Sequence, residues 1–155
     1  MSKESVLAEL AARVGEETYV GEWVEVDQAR IDQFADATGD HQWIHVDVER
    51  AKRDSPYEVP VAHGFLTLSM LPMLTSAGGE RPRYAGVRLT VNYGLNRVRF
   101  PAPVKAGSRV RARSTLQDVF EVPGGLQIVR LVTVDVEGQG KPACVAESVS
   151  RLYFE

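Results

Sequence analysis

Cysteine is nearly absent: Cys144 is the one thiol in 155 residues. That excludes an internal disulfide, and its place in an apolar run reads as a buried thiol. Net charge is also small. The 18 Lys and Arg stand against 21 Asp and Glu, a formal charge of -3 at pH 7, so no basic surplus points to nucleic acid. No apolar run is long enough to cross a bilayer. The segment Met1 to Val14 carries Lys3, Glu4, Glu9 and Arg13 among its apolar residues, which suits neither a signal peptide nor a membrane span. A cytoplasmic protein with no membrane and no nucleic-acid partner is expected. Internal repeats, low-complexity tracts and interdomain linkers are missing too. With 44% hydrophobic and 25% charged residues, the composition excludes disorder. The length suits one domain over residues 1-155, with a core that needs no staples.

The pattern of the chain changes near residue 80. Before it, helical spacing prevails. Val6, Leu7, Leu10, Ala11 and Val14 predict an N-terminal helix over about 2-14, stopped by Gly15. Asp27 is placed to cap a helix that shows Ile31, Phe34, Ala35 and Thr38 on one side and stops at Gly39. Asp47 is placed to cap a short helix through Val48 to Arg53, ended by Ser55-Pro56. Gly64 to Ala77 is apolar nearly all round, so a helix there must be wrapped by other structure. Pro72 inside it predicts a bend, or a break in the helix.

After Gly78-Gly79 the period becomes two. Val87, Leu89, Val91 and Tyr93 alternate with polar or small residues, as Val110, Ala112 and Ser114 do more weakly. Ile128 to Val136 and Cys144 to Tyr153 are further β-rich runs, bounded by Pro123-Gly124-Gly125 and Gly138-Gln139-Gly140 turns. Four long strands on hairpin-length turns, with a short edge strand around Glu22 to Val26, favour an antiparallel sheet. The expected fold is α+β, a curved antiparallel β-sheet wrapped around a long apolar central helix.

Two clusters carry the chemistry. Ala37-Thr38-Gly39-Asp40-His41-Gln42-Trp43-Ile44-His45-Val46-Asp47 sets a carboxylate and an imidazole five residues apart, on what reads as a loop between helices. Pro60-Val61-Ala62-His63-Gly64-Phe65-Leu66-Thr67-Leu68-Ser69 puts a glycine where the apolar helix begins. A carboxylate, an imidazole and backbone N–H groups at a helix start can polarise a carbonyl and move a proton beside it. Each residue also has a plainer role. Asp40 after Gly39 could cap a turn, and His45 could be a satisfied core histidine. His41 and His63 are read as structural, with His63 fixing the loop that presents Gly64. Asp47 is read as a helix cap. A zinc site from His41, His45, Asp47 and His63 matches no familiar ligand spacing, so no metal is expected. Arg88, Arg97 and Arg99 lie in strand-like runs, where most arginines face solvent and one or two could meet the phosphates of a ligand.

The run Phe34-Ala35-Asp36-Ala37-Thr38-Gly39-Asp40, then Ile44-His45-Val46-Asp47, then Ala62-His63-Gly64-Phe65-Leu66-Thr67-Leu68-Ser69, resembles the MaoC-like hydratases. These are hot-dog proteins that include the (R)-specific enoyl-CoA hydratases. The version around Gln42-Trp43, with Tyr93-Gly94-Leu95-Asn96-Arg97-Val98-Arg99-Phe100-Pro101-Ala102-Pro103-Val104, looks like the branch named after the nodulation protein NodN. The resemblance implies a single hot-dog domain in which Asp40 and His45 are the catalytic pair and Gly64 donates its N–H to the thioester oxygen. Gln42 would hydrogen-bond a water or a catalytic side chain. The chain departs from the pattern where many members carry Asn-Pro between the pair and this one has Gln42-Trp43. Trp43 would then shape an acyl pocket or a subunit contact. Some hydratases carry a serine eight residues after the glycine; that position is Pro72 here, and Ser69 is not taken as its substitute.

The implied reaction adds water to a trans-2-enoyl-CoA, giving the (R)-3-hydroxyacyl-CoA, reversibly and with no cofactor. The partners implied are an acyl-CoA or acyl carrier protein thioester and a second copy in a homodimer. Two alternatives stay open on the same fold: a hot-dog acyl-CoA thioesterase, and a non-catalytic acyl-CoA-binding subunit.

Overall fold

The computed structural model of the chain describes residues 2–76 and 84–155. Helix α1 (Lys3–Ala11) opens where the Ser2 hydroxyl accepts the Ser5 N–H. It stops three residues short of the expected Val14, and Ala12 to Gly15 continue as turns ending at a φ of 91° on Gly15. Short strands β1 (Glu17–Val20) and β2 (Val24–Val26) follow. Then come α2 (Gln28–Thr38), α3 (Trp43–Val46), α4 (Val48–Asp54), α5 (Gly64–Ser69) and α6 (Leu71–Leu74). The long strands β3 (Val87–Arg99), β4 (Ser108–Val122), β5 (Gly125–Val136) and β6 (Cys144–Phe154) complete the chain.

All strand pairs are antiparallel, in the order β1-β4-β5-β6-β3, and β2 also lies along β4. The sheet has six strands. The sixth is β1, four residues too short to stand out in the sequence. Register shifts interrupt β3 at three places and β4 between Leu116 and Asp118; such bulges bend a strand and increase its twist. Two-residue connection Pro123-Gly124 joins β4 to β5, with Gly124 at a φ of 77°.

The long central helix expected from Gly64 to Ala77 is two short ones. Met70 ends α5 and begins α6, with its N–H shared among the Leu66, Thr67 and Leu68 carbonyls. Pro72 explains the break. Its ring would strike the Leu68 carbonyl in a continuous helix, and its missing N–H is harmless only in a first turn. Ala77 and the Gly78-Gly79 turn lie outside the described residues. One side of the pair is nevertheless wrapped as expected. Leu66, Met70, Leu71 and Leu74 are buried against Val110, Ala112, Val132, Val134 and Ala146 of the sheet. Cys144 joins this core, and burial pushes its thiol up to about 11. The wrapping is incomplete, because Phe65 on α5 is 68% exposed.

A second cluster sits under α1, where Val6 and Leu10 pack on Leu116, Val119, Leu126, Ile128 and Leu152. Strand β3 stands apart from the other long strands. Among the described residues it is hydrogen-bonded to β6 alone, and Leu89, Tyr93 and Leu95 are about half exposed on it. Among the described residues no helix is long and apolar enough to cross a membrane.

Candidate functional site

The site is built by local chain signals. The Asp27 carboxylate accepts the Arg30 N–H at 2.8 Å and starts α2. Gly39 stops it at a φ of 81°, donating its N–H to the Ala35 carbonyl. That left-handed conformation favours glycine, and it delivers the chain to Asp40. The Asp40 carboxylate is exposed and accepts the Gln42 N–H at 3.3 Å. His45 is not on a loop, as its spacing suggested, but on the one-turn helix α3. Its backbone carbonyl accepts the Gln28 Nε2–H at 2.8 Å, and Gln28 also donates to Asp32 at 2.9 Å. The His45 Nδ1 lies 2.7 Å from the Val61 carbonyl. A carbonyl only accepts, so Nδ1 carries the proton, and Nε2 of the neutral ring keeps its lone pair.

Gly64 is the first residue of α5, and its N–H meets no acceptor among the described residues. A close approach favours the glycine here. A Cβ at position 64 would come within 2.8 Å of the Phe100 ring. Phe100 and Phe65 meet edge to face beside it, with centroids 6.2 Å apart. Just before Gly64, the buried ring of His63 places Nε2 2.9 Å from the Asp40 carbonyl. This ring stacks on His45 at 3.8 Å and 26°, and Phe34 covers it at 5.0 Å.

The fold therefore gathers Asp40, His45 and His63, with one ligand atom from each lying within 4.8 Å of the others. The remaining members of the zinc set weighed from the sequence go elsewhere. Exposed His41 meets Asp36 at 2.9 Å, and that hydrogen bond raises its pKa above the ordinary 6.5. Asp47 caps α4 by accepting the Arg50 N–H at 2.9 Å. The gathered trio is itself a poor metal cage. Imidazole lone pairs lie in the ring planes, and two rings stacked nearly parallel do not aim theirs at one ion.

Gln42 sits at the N-cap of α3 with its side chain outside any cap bond, between the paired residues in sequence. Trp43 lies under the Arg50 guanidinium, 4.3 Å from the ring centroid. Ser69 turns back on its own helix, donating to the Phe65 carbonyl at 2.7 Å. Arg88, Arg97 and Arg99 are all exposed along β3. A cavity of about 1000 Å³ lies beside α6, lined by Leu71, Pro72, Thr75, Ile128, Val132 and Leu152 among others. None of Asp40, His45, His63 or Gly64 borders it. A smaller cavity of about 210 Å³ is lined by Gly64, Thr67 and Phe100 among others, and Asp40, His45 and His63 border neither space.

Three contacts escaped the sequence: the His63–Asp40 bond, the Phe100 ring over Gly64, and the Gln28 bond to the His45 carbonyl. His63 and Phe100 lay inside the runs that carry the family resemblance, so a signal existed for both. Gln28, at the start of an ordinary capped helix, offered none.

This arrangement has close relatives. The chain is 53% identical over 149 residues to 3-hydroxyacyl-thioester dehydratase Z of Mycobacterium tuberculosis, covering 96% of this chain and 95% of that protein. It is 44% identical over 153 residues to Nodulation protein N of Rhizobium leguminosarum, covering 98% and 94%. Its fold matches the unliganded (R)-hydratase of Pseudomonas aeruginosa with a TM-score of 0.70, at 21% identity over 92% of this chain and 83% of that one. The family model described as the MaoC like domain spans residues 9–137, both site clusters included. The hot-dog sheet, the motif residues it gathers and these likenesses agree: the chain belongs to the MaoC-like dehydratase family.

Proposed function

We propose that the chain is a hydro-lyase, adding water to a trans-2-enoyl-CoA to give the (R)-3-hydroxyacyl-CoA and running equally in reverse. The observation that carries this is the approach of Asp40 and His45, whose ligand atoms lie within 4.8 Å. A water between two such atoms reaches both at about 2.8 Å, an ordinary hydrogen-bond length. The β-carbon of an enoyl thioester accepts that water only as negative charge gathers on the thioester oxygen. The free N–H of Gly64 is a donor for that charge, worth about 10²–10³ in rate where such donors have been removed. The water oxygen bonds to the β-carbon, one of its protons passes to the Asp40–His45 pair, and the pair returns a proton to the α-carbon. No electrons change hands, so the balance calls for no redox cofactor. Gln42, on the helix start between the pair, is assigned to hold the water or the substrate.

The 53% identity to a protein named as a 3-hydroxyacyl-thioester dehydratase supports the same reading. The (R) face follows from family membership. Strand β3 supports a homodimer, since its outer edge is unpaired among the described residues and carries Leu89, Tyr93 and Leu95 half exposed. A second copy pairing edge to edge would cover it. The compartment assigned is the cytoplasm.

Crotonyl-CoA tests the function, with enoyl absorbance and free thiol followed together. The expected result is loss of the enoyl signal with no thiol released and no metal or nucleotide added. Thiol release ahead of that loss would establish a thioesterase, and silence in both channels with bound acyl-CoA would establish a binding subunit. Robust NADH formation by an (S)-specific 3-hydroxyacyl-CoA dehydrogenase coupled to the reaction would overturn the (R) assignment.

A further inference from the structure

The exposed carboxylate of Asp40 follows a glycine, and it is restrained by a long 3.3 Å contact with the Gln42 N–H. An aspartate held so loosely is a poor acid or base, because a displacement of about 1 Å in such a group can cost about 10²-fold in rate. The structure supplies a second restraint through the backbone. His63 is 3% exposed, packed between Phe34 and His45, and its Nε2 lies 2.9 Å from the Asp40 carbonyl. Because the carbonyl only accepts, Nε2 is the protonated nitrogen of this ring. The other nitrogen, Nδ1, is buried with no hydrogen-bond partner among the described residues. The Asp40 carbonyl is thus the polar anchor of a ring otherwise fixed by packing, and the buried ring sets the exposed loop rather than the reverse.

The same ring lies flat on His45, whose own Nδ1–H is tied to the Val61 carbonyl. It also belongs to the residue preceding Gly64, at the N-cap of α5. Three parts that the chain supplies separately, the Asp40 loop, the α3 imidazole and the α5 start, therefore meet on one side chain. We infer that His63 is a positioning residue for the addition of water, holding Asp40 through its Nε2–H and His45 through its face. This rests on the hydratase reading of the same site. His63 touches neither the reacting water nor the substrate in this role; it acts through Asp40 and His45.

Two variants separate the two contacts. His63→Phe keeps a flat ring against His45 and loses the donor. His63→Gln keeps a donor with the reach of Nε2 and loses the ring. With crotonyl-CoA as substrate, His63→Phe is expected to lower kcat by about 10²-fold while KM changes less than about threefold. His63→Gln should stay within about tenfold of wild type, a rescue by the conserved donor. In an Asp40→Asn background, His63→Phe should add less than about twofold, since a group acting through Asp40 has nothing left to position. A folded His63→Phe with wild-type kcat, a loss that appears in KM alone, or a full further loss in the Asp40→Asn background would each overturn the inference. Where His63→Phe does not fold, His63→Gln decides, and a kcat as low as that of Asp40→Asn overturns the role of the donor.

Backbone amide NMR of the folded variants keeps this question apart from the reaction. The signals of Gly39 to Gln42 should move in His63→Phe and return towards wild type in His63→Gln. If wild type fails to hydrate any enoyl-CoA, the functional reading falls, and the amide signals still judge whether His63 sets the loop. Unmoved signals sink the inference.

Discussion

The corner around His45 and the cluster under α1 hold themselves together by opposite means. Under α1, Val6, Leu10, Leu116, Leu126, Ile128 and Leu152 are nearly or fully buried and make only apolar contacts with one another. At the corner, polar groups from the exposed Asp40 to the buried His63 are tied by directional bonds to backbone carbonyls. His45 is held by Val61, His63 holds Asp40, and Gln28 holds the His45 carbonyl. Apolar packing sums over many weak contacts and loses stability when trimmed. A corner of single bonds loses geometry instead. The two regions should therefore fail differently, one in folding and the other in rate.

The largest expected effect is at the corner. Asp40→Asn keeps the shape and removes the proposed proton acceptor, and His45→Gln keeps a hydrogen-bonding group that does not titrate. Each should lower kcat at least about 10²-fold, and the double variant should be little worse than the poorer single. Thermal midpoints, measured beside the rates, should move little for Asp40→Asn because its side chain is exposed. Both variants folded with near-normal kcat would erase the contrast, leaving the corner as mere structure.

Next comes the inverse experiment. Ile128→Ala removes a side chain with 0% exposure beneath α1 and should cost about 2–5 kcal/mol of stability. Urea unfolding reads the loss, and kcat per folded molecule should be unchanged. A kcat that fell in proportion would mean that the two regions are coupled through the sheet. A smaller effect is expected at the β3 edge. Tyr93→Lys with Leu95→Lys should weaken the proposed dimer by about 2 kcal/mol or more, the scale of well-placed interface anchors. Sedimentation across a concentration series checks it, and unchanged self-association would remove β3 from the interface.

The smallest effect is predicted at His41. Asp36 raises the pKa of this imidazole in the folded chain, so folding binds its proton more tightly than the unfolded chain does. The stability gained is complete below the ordinary value of 6.5 and is lost as pH rises through the raised value. His41→Gln should therefore lower the melting temperature slightly at acidic pH and not at all at alkaline pH. A gap that widened with rising pH would contradict the Asp36 partnership.

These contrasts also sort what could be read from the sequence. Asp27, Gly39 and Asp47 were legible because a cap is decided within a few residues, and all three occupy the expected positions. The β5 run was legible because a largely buried central strand leaves dense β-branched sequence, and β6 because the Gly138-Gln139-Gly140 turn sets off its start. β3 was legible as a strand and not as an exposed one. Val87, Leu89, Val91 and Tyr93 alternate like any half-buried strand, but alternation cannot say whether anything lies opposite. The pairing of Asp40 with His45 came through the family motif, whereas the stack of His63 on His45 joins residues 18 positions apart through tertiary packing, and no local rule reports it. Pro72 announced a disturbance, and the structure resolves it as a full break at Met70.

That break has an electrostatic consequence. α5 has six residues, so the donor proposed at Gly64 would draw on the bare N–H groups of one turn and gain little from a summed macrodipole, whose influence fades within the first turn anyway. Under that proposal, charge stabilisation at position 64 is uncoupled from helix length. The segment after Met70 is free to take whatever direction best fills the sheet, and substitutions there can reshape the interior without changing the field at the proposed oxygen site.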